Sequence, residues 1–274
     1  MYCIKCGVEL ADNAEFTQAR QILVSGYTPY LDLTNLYPST TYYWRVRGTK
    51  PNDVSTAGSF ITSSYSVRYI TAEGGANMRD LGGWTNGNGQ SVRYGLLYRG
   101  NCLNGYSGGA KLTEEGKTTF VDELGMYTEI DLRTGNVDDA GQKENFFNAE
   151  SPYVKATLGQ YTQIFQNSAV ASLQTIFSKL AEKESYPIYV HCNAGADRTG
   201  TLSFLIHGLL GVEYEQLVKD FELTSFSSIS GKRYRSAVNA DGTDFDETGI
   251  YKNVETHGNY VAFDLMYRQM LEMY

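Results

Sequence analysis

Apolar positions along this chain change their period about a quarter of the way in. Before residue 62 they recur at every second position. Tyr2, Ile4, Cys6 and Val8 alternate with Cys3, Lys5 and Gly7, Leu31 and Leu33 flank Asp32, and Tyr42, Trp44 and Val46 alternate with Tyr43, Arg45 and Arg47. Successive side chains of a strand point to opposite faces, so a period of two predicts β structure. Pro51-Asn52-Asp53 and the stretch 55–66 are rich in turn formers and predict a loop, a last strand and a linker, with a boundary near Ser63.

From Val67 onward short strand-like runs alternate with helical spacing. The segment 77–83 reads as a tight, glycine-ended turn beneath a sheet, with Arg79 and Asp80 as an internal structural pair. Gly87-Asn88-Gly89 is a turn and 92–99 is strand-like. Thr113 ahead of Glu114 and Glu115 predicts an N-cap, Phe120, Val121 and Leu124 an apolar helix face, and Gly125 its stop. Met126, Thr128, Ile130 and Leu132 alternate as a strand, which puts Asp131 and Arg133 at its carboxyl end, where open α/β sheets bind ligands. Val170, Leu173, Phe177 and Leu180 mark a helix, Tyr214, Leu217, Val218 and Phe221 another, and Val261, Leu265 and Met266 a closing one. The expected fold is α/β: a central sheet flanked by helices over residues 63–274, preceded by a small all-β, sandwich-like domain over residues 1–62.

Composition narrows the partners. A chain of 274 residues can hold one large domain or two. No stretch is long and apolar enough to span a membrane. The net charge of −8 argues against nucleic acid or an anionic membrane as a general partner, because sequence-independent affinity for both comes from surplus Lys and Arg. Four cysteines are too few for a disulfide scaffold.

One stretch carries chemistry. In Pro187-Ile188-Tyr189-Val190-His191-Cys192-Asn193-Ala194-Gly195-Ala196-Asp197-Arg198-Thr199-Gly200 an apolar, β-favouring run meets a tight loop. Leu202, Leu205, Ile206, Leu209 and Leu210 then recur at helical spacing. A loop between a strand and a helix aims backbone N–H groups and the positive end of the helix dipole at whatever sits above Cys192. A cysteine in such a field favours its thiolate, the nucleophilic form. Arg198 brings a planar fork matched to two phosphoryl oxygens. Ala194, Gly195 and Ala196 are small enough for the backbone to close around that group. Thr199 is placed to donate its hydroxyl to the sulfur. The competing reading of Cys192 alone is a small buried hydrophobe.

His191-Cys192-x-x-Gly195-x-x-Arg198-Thr199-Gly200 resembles the signature loop of the cysteine-dependent protein tyrosine phosphatases. Asn77-Met78-Arg79-Asp80-Leu81-Gly82-Gly83, Leu97-Tyr98-Arg99, Ile130-Asp131-Leu132-Arg133 and Leu210-Gly211-Val212 with Asp220-Phe221-Glu222-Leu223-Thr224 resemble, in order, motifs of the bacterial protein tyrosine/serine phosphatase family. The resemblance covers residues 65–274 and departs at Ala196, where that family usually carries Lys. It implies a phosphomonoester hydrolase, most readily a protein tyrosine phosphatase, that passes through a cysteinyl-phosphate and needs no metal or cofactor. Its substrate would be a phosphorylated protein or phospholipid, held by the 191–196 loop with Asp131 and Arg133. Asp197 is the implied general acid, and Asp131 is either the second choice or a structural partner of the loop. His191 orients the loop or favours the thiolate. With no cation at Asn193 or Ala196, the loop leans toward a singly phosphorylated substrate over a phosphoinositide.

The stretch 33–46 resembles the turn and strand of a fibronectin type III module whose first strands are missing, so Met1 reads as a fragment boundary. Such a module suggests a secreted, periplasmic or cell-surface bacterial protein. Cys3-x-x-Cys6 lacks the second pair a zinc site requires. The polar stretch 225–251, with Lys232-Arg233-Tyr234-Arg235, is either a solvated loop or a lid over the site. Two rival functions remain, a non-catalytic phosphate-binding module and a sulfurtransferase.

Overall fold

The two apolar periods resolve into two separate sheets. The computed structural model describes residues 6–24, 30–50, 52–65, 67–105, 111–135, 141–228 and 258–273. The chain divides into one unit spanning residues 1–70 and a second spanning 71–274. The 225–251 stretch, apart from its first few residues, and Cys3 lie outside the described residues.

In the first unit β1 (Cys6–Ala11), β2 (Arg20–Val24), β3 (Thr41–Arg47) and β4 (Gly58–Ile61) form an antiparallel sheet in the order β2-β1-β3-β4. Among the described residues this unit is all β, with one four-stranded sheet of the sandwich-like domain expected. Residues 31–33 are not a strand, and β2 was not anticipated. The register sets Glu9 opposite Gln21 and Arg45, and Glu9 accepts from Arg47, Gln21 and Arg45. The Arg47 hydrogen bond leads these contacts. Together they outweigh burial and hold the Glu9 carboxyl down at about 2. Cys6 is disulfide-bonded and thus not a metal ligand.

In the second unit β5 (Arg79–Asp80), β6 (Leu97–Gly100), β7 (Thr128–Asp131), β8 (Tyr153–Lys155) and β9 (Ile188–His191) form a mixed sheet in the order β5-β6-β9-β7-β8. Only β5 runs antiparallel to its neighbour. Every residue of β6, β7 and β9 is buried. A parallel strand covered on both faces reads as a continuous apolar run, which is why Ile188-Tyr189-Val190 does not alternate. Helices α1 (Glu114–Thr118), α2 (Val170–Ala181), α3 (Asp197–Leu209), α4 (Tyr214–Leu223) and α5 (Gly258–Met273) pack around this sheet. Thr113 caps α1 by accepting from the Gly116 N–H, as its sequence predicts. Phe120 stacks edge-on against Tyr189 of β9 at 5.0 Å, and Phe204, Phe221 and Phe263 join α3, α4 and α5.

Helix α3 departs from its expected apolar face. Its buried residues include Thr199, Gly200, Thr201, Leu202, Ser203 and Phe204, while Leu209 and Leu210 are half exposed. The small side chains of its first turns let it lie close to the sheet, and a Cβ on Gly200 would sit 3.4 Å from an Arg99 nitrogen. Hydrophobic spacing marks the helix but misses that small residues decide which side faces inward.

Three buried charges hold the end of the sheet. Arg79 of β5, Arg99 of β6 and Asp220 of α4 are 1%, 0% and 4% exposed. Asp220 Oδ1 accepts from Arg79 Nε at 2.8 Å and Oδ2 from Arg99 Nη1 at 2.7 Å. Arg79 also donates to the Asp220 carbonyl at 2.8 Å and to Asn77 Oδ1 at 3.0 Å. Arg79 is therefore paired across the fold and not with Asp80, whose carboxylate accepts from the N–H groups of Gly82 and Gly95. Burial pushes the Asp220 carboxyl up, but the charges of Arg79, Arg99 and His207 and the hydrogen bond from Arg79 outweigh it and hold it well below the ordinary carboxylate range. A carboxyl depressed in the folded state stabilises the fold above its unfolded pKa of ~3.9 and loses that contribution as pH falls toward the lowered value.

Removing one partner of a buried pair strands the other charge, at a cost of about 3–5 kcal/mol. Asp220→Asn is expected to lose stability on that scale in urea unfolding at pH 7. The gap to the parent should narrow only below about pH 4, as the parent carboxyl itself takes up a proton.

Candidate active site

The central strand β9 runs directly into Cys192, at the carboxyl edge of the sheet, with β6 on one side and β7 on the other. Cys192 is a free thiol, 3% exposed, and the chain turns through residues 193–196 into α3. Gly195 adopts φ +65°, and a Cβ there would lie 2.2 Å from the Gly100 carbonyl oxygen. Only glycine meets both the backbone and the space requirement.

The loop carbonyls are all taken up by the framework. The Asn193 carbonyl accepts from the Cys102 N–H at 2.8 Å, and the Ala194 carbonyl from Asn77 Nδ2 at 2.9 Å. The Gly195 carbonyl accepts from Asn77 Nδ2 at 3.1 Å and from Arg99 Nη2 at 2.6 Å. The buried Arg79–Asp220–Arg99 cluster is thus tied to the loop through Asn77 and Arg99. The N–H groups of Ala194, Gly195 and Ala196 donate to no acceptor among the described residues. Successive amides left over in this way, ahead of a helix N-terminus, form a receptor for an anion.

His191 grips the loop from the opposite flank. Its Nδ1 lies 3.1 Å from the Cys192 carbonyl and its Nε2 2.8 Å from Glu129 Oε1, and both His191 and Glu129 are fully buried. Glu129 also accepts from Gln142 Nε2 at 2.7 Å and from the Phe146 N–H.

Asp131 and Arg133 lie elsewhere than expected. Both are fully buried, and Asp131 accepts from the Arg133 N–H and guanidinium, from Tyr153 Oη at 2.8 Å and from Lys155 Nζ at 3.0 Å. Arg133 further donates to Asn104 and Gln142. Burial pushes the Asp131 carboxyl up, but the charges of His191 and Arg133 and the Arg133 hydrogen bonds hold it well below the ordinary range. Asp131 is enclosed by Arg133, Tyr153 and Lys155, the surroundings of a structural partner, which is the other reading its sequence position allows. Its neighbour Arg133 is turned into the interior and not toward a ligand. The outer strand β8 supplies the tyrosine and lysine that complete this cluster, a placement that strand spacing alone does not reveal.

Asp197, Arg198 and Thr199 form the first turn of α3. Asp197 and Arg198 are partly exposed, as are Asn193 and Ala194, whereas Ala196 is 1% exposed. Thr199 is fully buried and its hydroxyl has no hydrogen-bond partner, so the expected bond to the Cys192 sulfur is not made. Sequence reading missed Tyr161, whose hydroxyl donates to Asp197 Oδ1 at 2.7 Å. Among 22 tyrosines nothing in the pattern singles it out.

Among the described residues no His, Cys, Asp and Glu cluster could hold a metal ion, and no helix is long and apolar enough to cross a membrane. Comparison with curated proteins returns no match. Among solved structures the chain is similar to the core catalytic domain of the PP-IP phosphatase SIW14 from S. cerevisiae, crystallised with citrate. The two share 16% identity over 60% of this chain and 89% of that one, with a TM-score of 0.36. A likeness so distant carries no argument about substrate. The sequence family described as the tyrosine phosphatase family matches residues 70–264. That span takes in the whole mixed sheet, the buried charge cluster and the Cys192 loop, and the chain belongs to the tyrosine phosphatase family.

Proposed function

We propose that this protein hydrolyses phosphotyrosine in phosphorylated proteins through a cysteinyl-phosphate on Cys192. The observation that carries the proposal is the division of labour in the loop after Cys192. Its carbonyls are held by Asn77, Arg99 and Cys102, and three consecutive N–H groups are left for an oxyanion.

In the first step the Cys192 thiolate attacks phosphorus in line, an S–P bond forms and the P–O bond to the tyrosyl oxygen breaks. The loop amides and the Arg198 guanidinium hold the equatorial oxygens, where charge builds in the transition state. Asp197 gives its proton to the departing oxygen. In the second step a water attacks phosphorus, Asp197 takes the proton, and the sulfur leaves. The buried Thr199 hydroxyl, which has no partner in the resting fold, supports a role as donor to that departing thiolate. His191 acts as a positioning residue through the Cys192 carbonyl.

The loop itself argues for a singly phosphorylated substrate. Ala196 is buried and carries no cation, so within the 192–198 loop Arg198 is the one cationic side chain available to a phosphate. A polyphosphorylated headgroup would ask for more positive charge than these residues supply.

Turnover of p-nitrophenyl phosphate should vanish in Cys192→Ser while inorganic phosphate still binds. Undiminished turnover in that variant would rule out the covalent route, and an inactive parent would leave only phosphate binding. Asp197→Asn should lower kcat on a phosphotyrosyl peptide by about 10²–10⁴, with little change in KM. Across phosphotyrosyl peptides, phosphoseryl peptides and phosphoinositides, kcat/KM should be highest for the first. A phosphoinositide ahead by tenfold would overturn the substrate assignment.

A further inference from the structure

We infer that Tyr161 is a positioning residue for proton transfer, fixing which oxygen of Asp197 carries the proton; this rests on Asp197 being the general acid. Tyr161 opens the 3-10 turn Tyr161–Phe165, which follows β8 by a short connection. Its backbone is left-handed, with φ +53°, a region that a bulky non-glycine residue enters only when its surroundings impose it.

Those surroundings are visible. The Tyr161 N–H donates to Thr201 Oγ1 of α3 at 2.7 Å. Gln160 and Gln163 cap the turn reciprocally. The ring is buried and packs edge-on against Phe221 of α4, 6.3 Å between centroids. The hydroxyl then reaches Asp197 Oδ1 at 2.7 Å. Asp197 and Thr201 are four residues apart and so share one face of α3. Main chain and side chain of one tyrosine therefore clamp the first turn of the helix that carries Asp197 and Arg198. Strained backbone held by several independent contacts is characteristic of functional positions rather than of ordinary loops.

The chemistry follows from the inventory of donors and acceptors. A phenol that donates to Oδ1 occupies that oxygen as an acceptor, so the acid proton resides on Oδ2. When the P–O bond breaks, the Oδ2–H bond breaks with it and the proton passes to the departing oxygen. The Asp197 carboxylate left behind is stabilised by the Tyr161 hydroxyl, since a hydrogen bond to a charged acceptor is stronger than one to a neutral acceptor. In the second step the same Oδ2 takes the proton of the attacking water.

Tyr161→Phe keeps the ring and its packing on Phe221 while deleting the hydroxyl. It is compared with Asp197→Asn and with the double variant, using phenyl phosphate, whose leaving group needs a proton, and dinitrophenyl phosphate, whose leaving group does not. Tyr161→Phe is expected to lower kcat/KM about tenfold or more on phenyl phosphate and by less than about twofold on dinitrophenyl phosphate. In the Asp197→Asn background the same change is expected to add less than about twofold on either substrate, because the two side chains act as one unit. Equal losses on the two substrates, or a full additional loss in the double variant, would mean that Tyr161 only supports the fold and would overturn the inference. An Asp197→Asn variant that loses equally on both substrates would instead overturn Asp197 as the acid, and the inference with it.

Discussion

The loop beyond Cys192 depends on two arginines that never reach solvent. Arg79 and Arg99 share the carboxylate of Asp220, and from that anchored position they pull, directly or through Asn77, on the carbonyls of Ala194 and Gly195. A loop of small residues has no side chains with which to specify its own shape. Here its conformation is imposed from below, by buried charged groups whose desolvation is offset by their mutual ion pairs and hydrogen bonds. Such a cluster adds little net stability, but it admits a single arrangement. That arrangement turns the loop carbonyls toward the framework and leaves amides over for an anion.

A second buried network meets the loop from the β7 side. His191 reaches the Cys192 carbonyl on one nitrogen and Glu129 on the other, while Gln142 links Glu129 to Arg133 and Asp131. The two networks come from different strands and sit on either side of β9. Together with the Cys102 N–H they engage the main-chain carbonyls of residues 192–195. Unsatisfied amides and an unpartnered Thr199 hydroxyl carry a free-energy penalty in the resting fold, one that a bound anion is suited to relieve.

Legibility in the sequence varied with how local the cause was. The β9 run, the Thr113 cap, the helices at 170–181 and 214–223 and the Cys192 to Arg198 spacing rest on periodicity, capping and chain proximity, and all can be read along the chain. Where the reading failed, the deciding partner was remote. Arg79 was assigned to its neighbour Asp80, but its partner lies 141 residues away. Asp131 looked available to a ligand until Tyr153 and Lys155 from the next strand enclosed it.

The sequence by itself determined that a thiol, a guanidinium and a carboxyl would arrive together at a strand-to-helix turn. Seven consecutive residues carry them, and the β-favouring run on one side and the helical spacing on the other leave little choice of local shape. Only the tertiary structure decided the surroundings that govern each carboxylate's charge. That charge is set by the company each group keeps: Asp131 is buried among cations and locked in its charged form, while Asp197 stands at a helix start against the hydroxyl of Tyr161. Such company is assembled from segments far apart in the chain, and no local pattern encodes it.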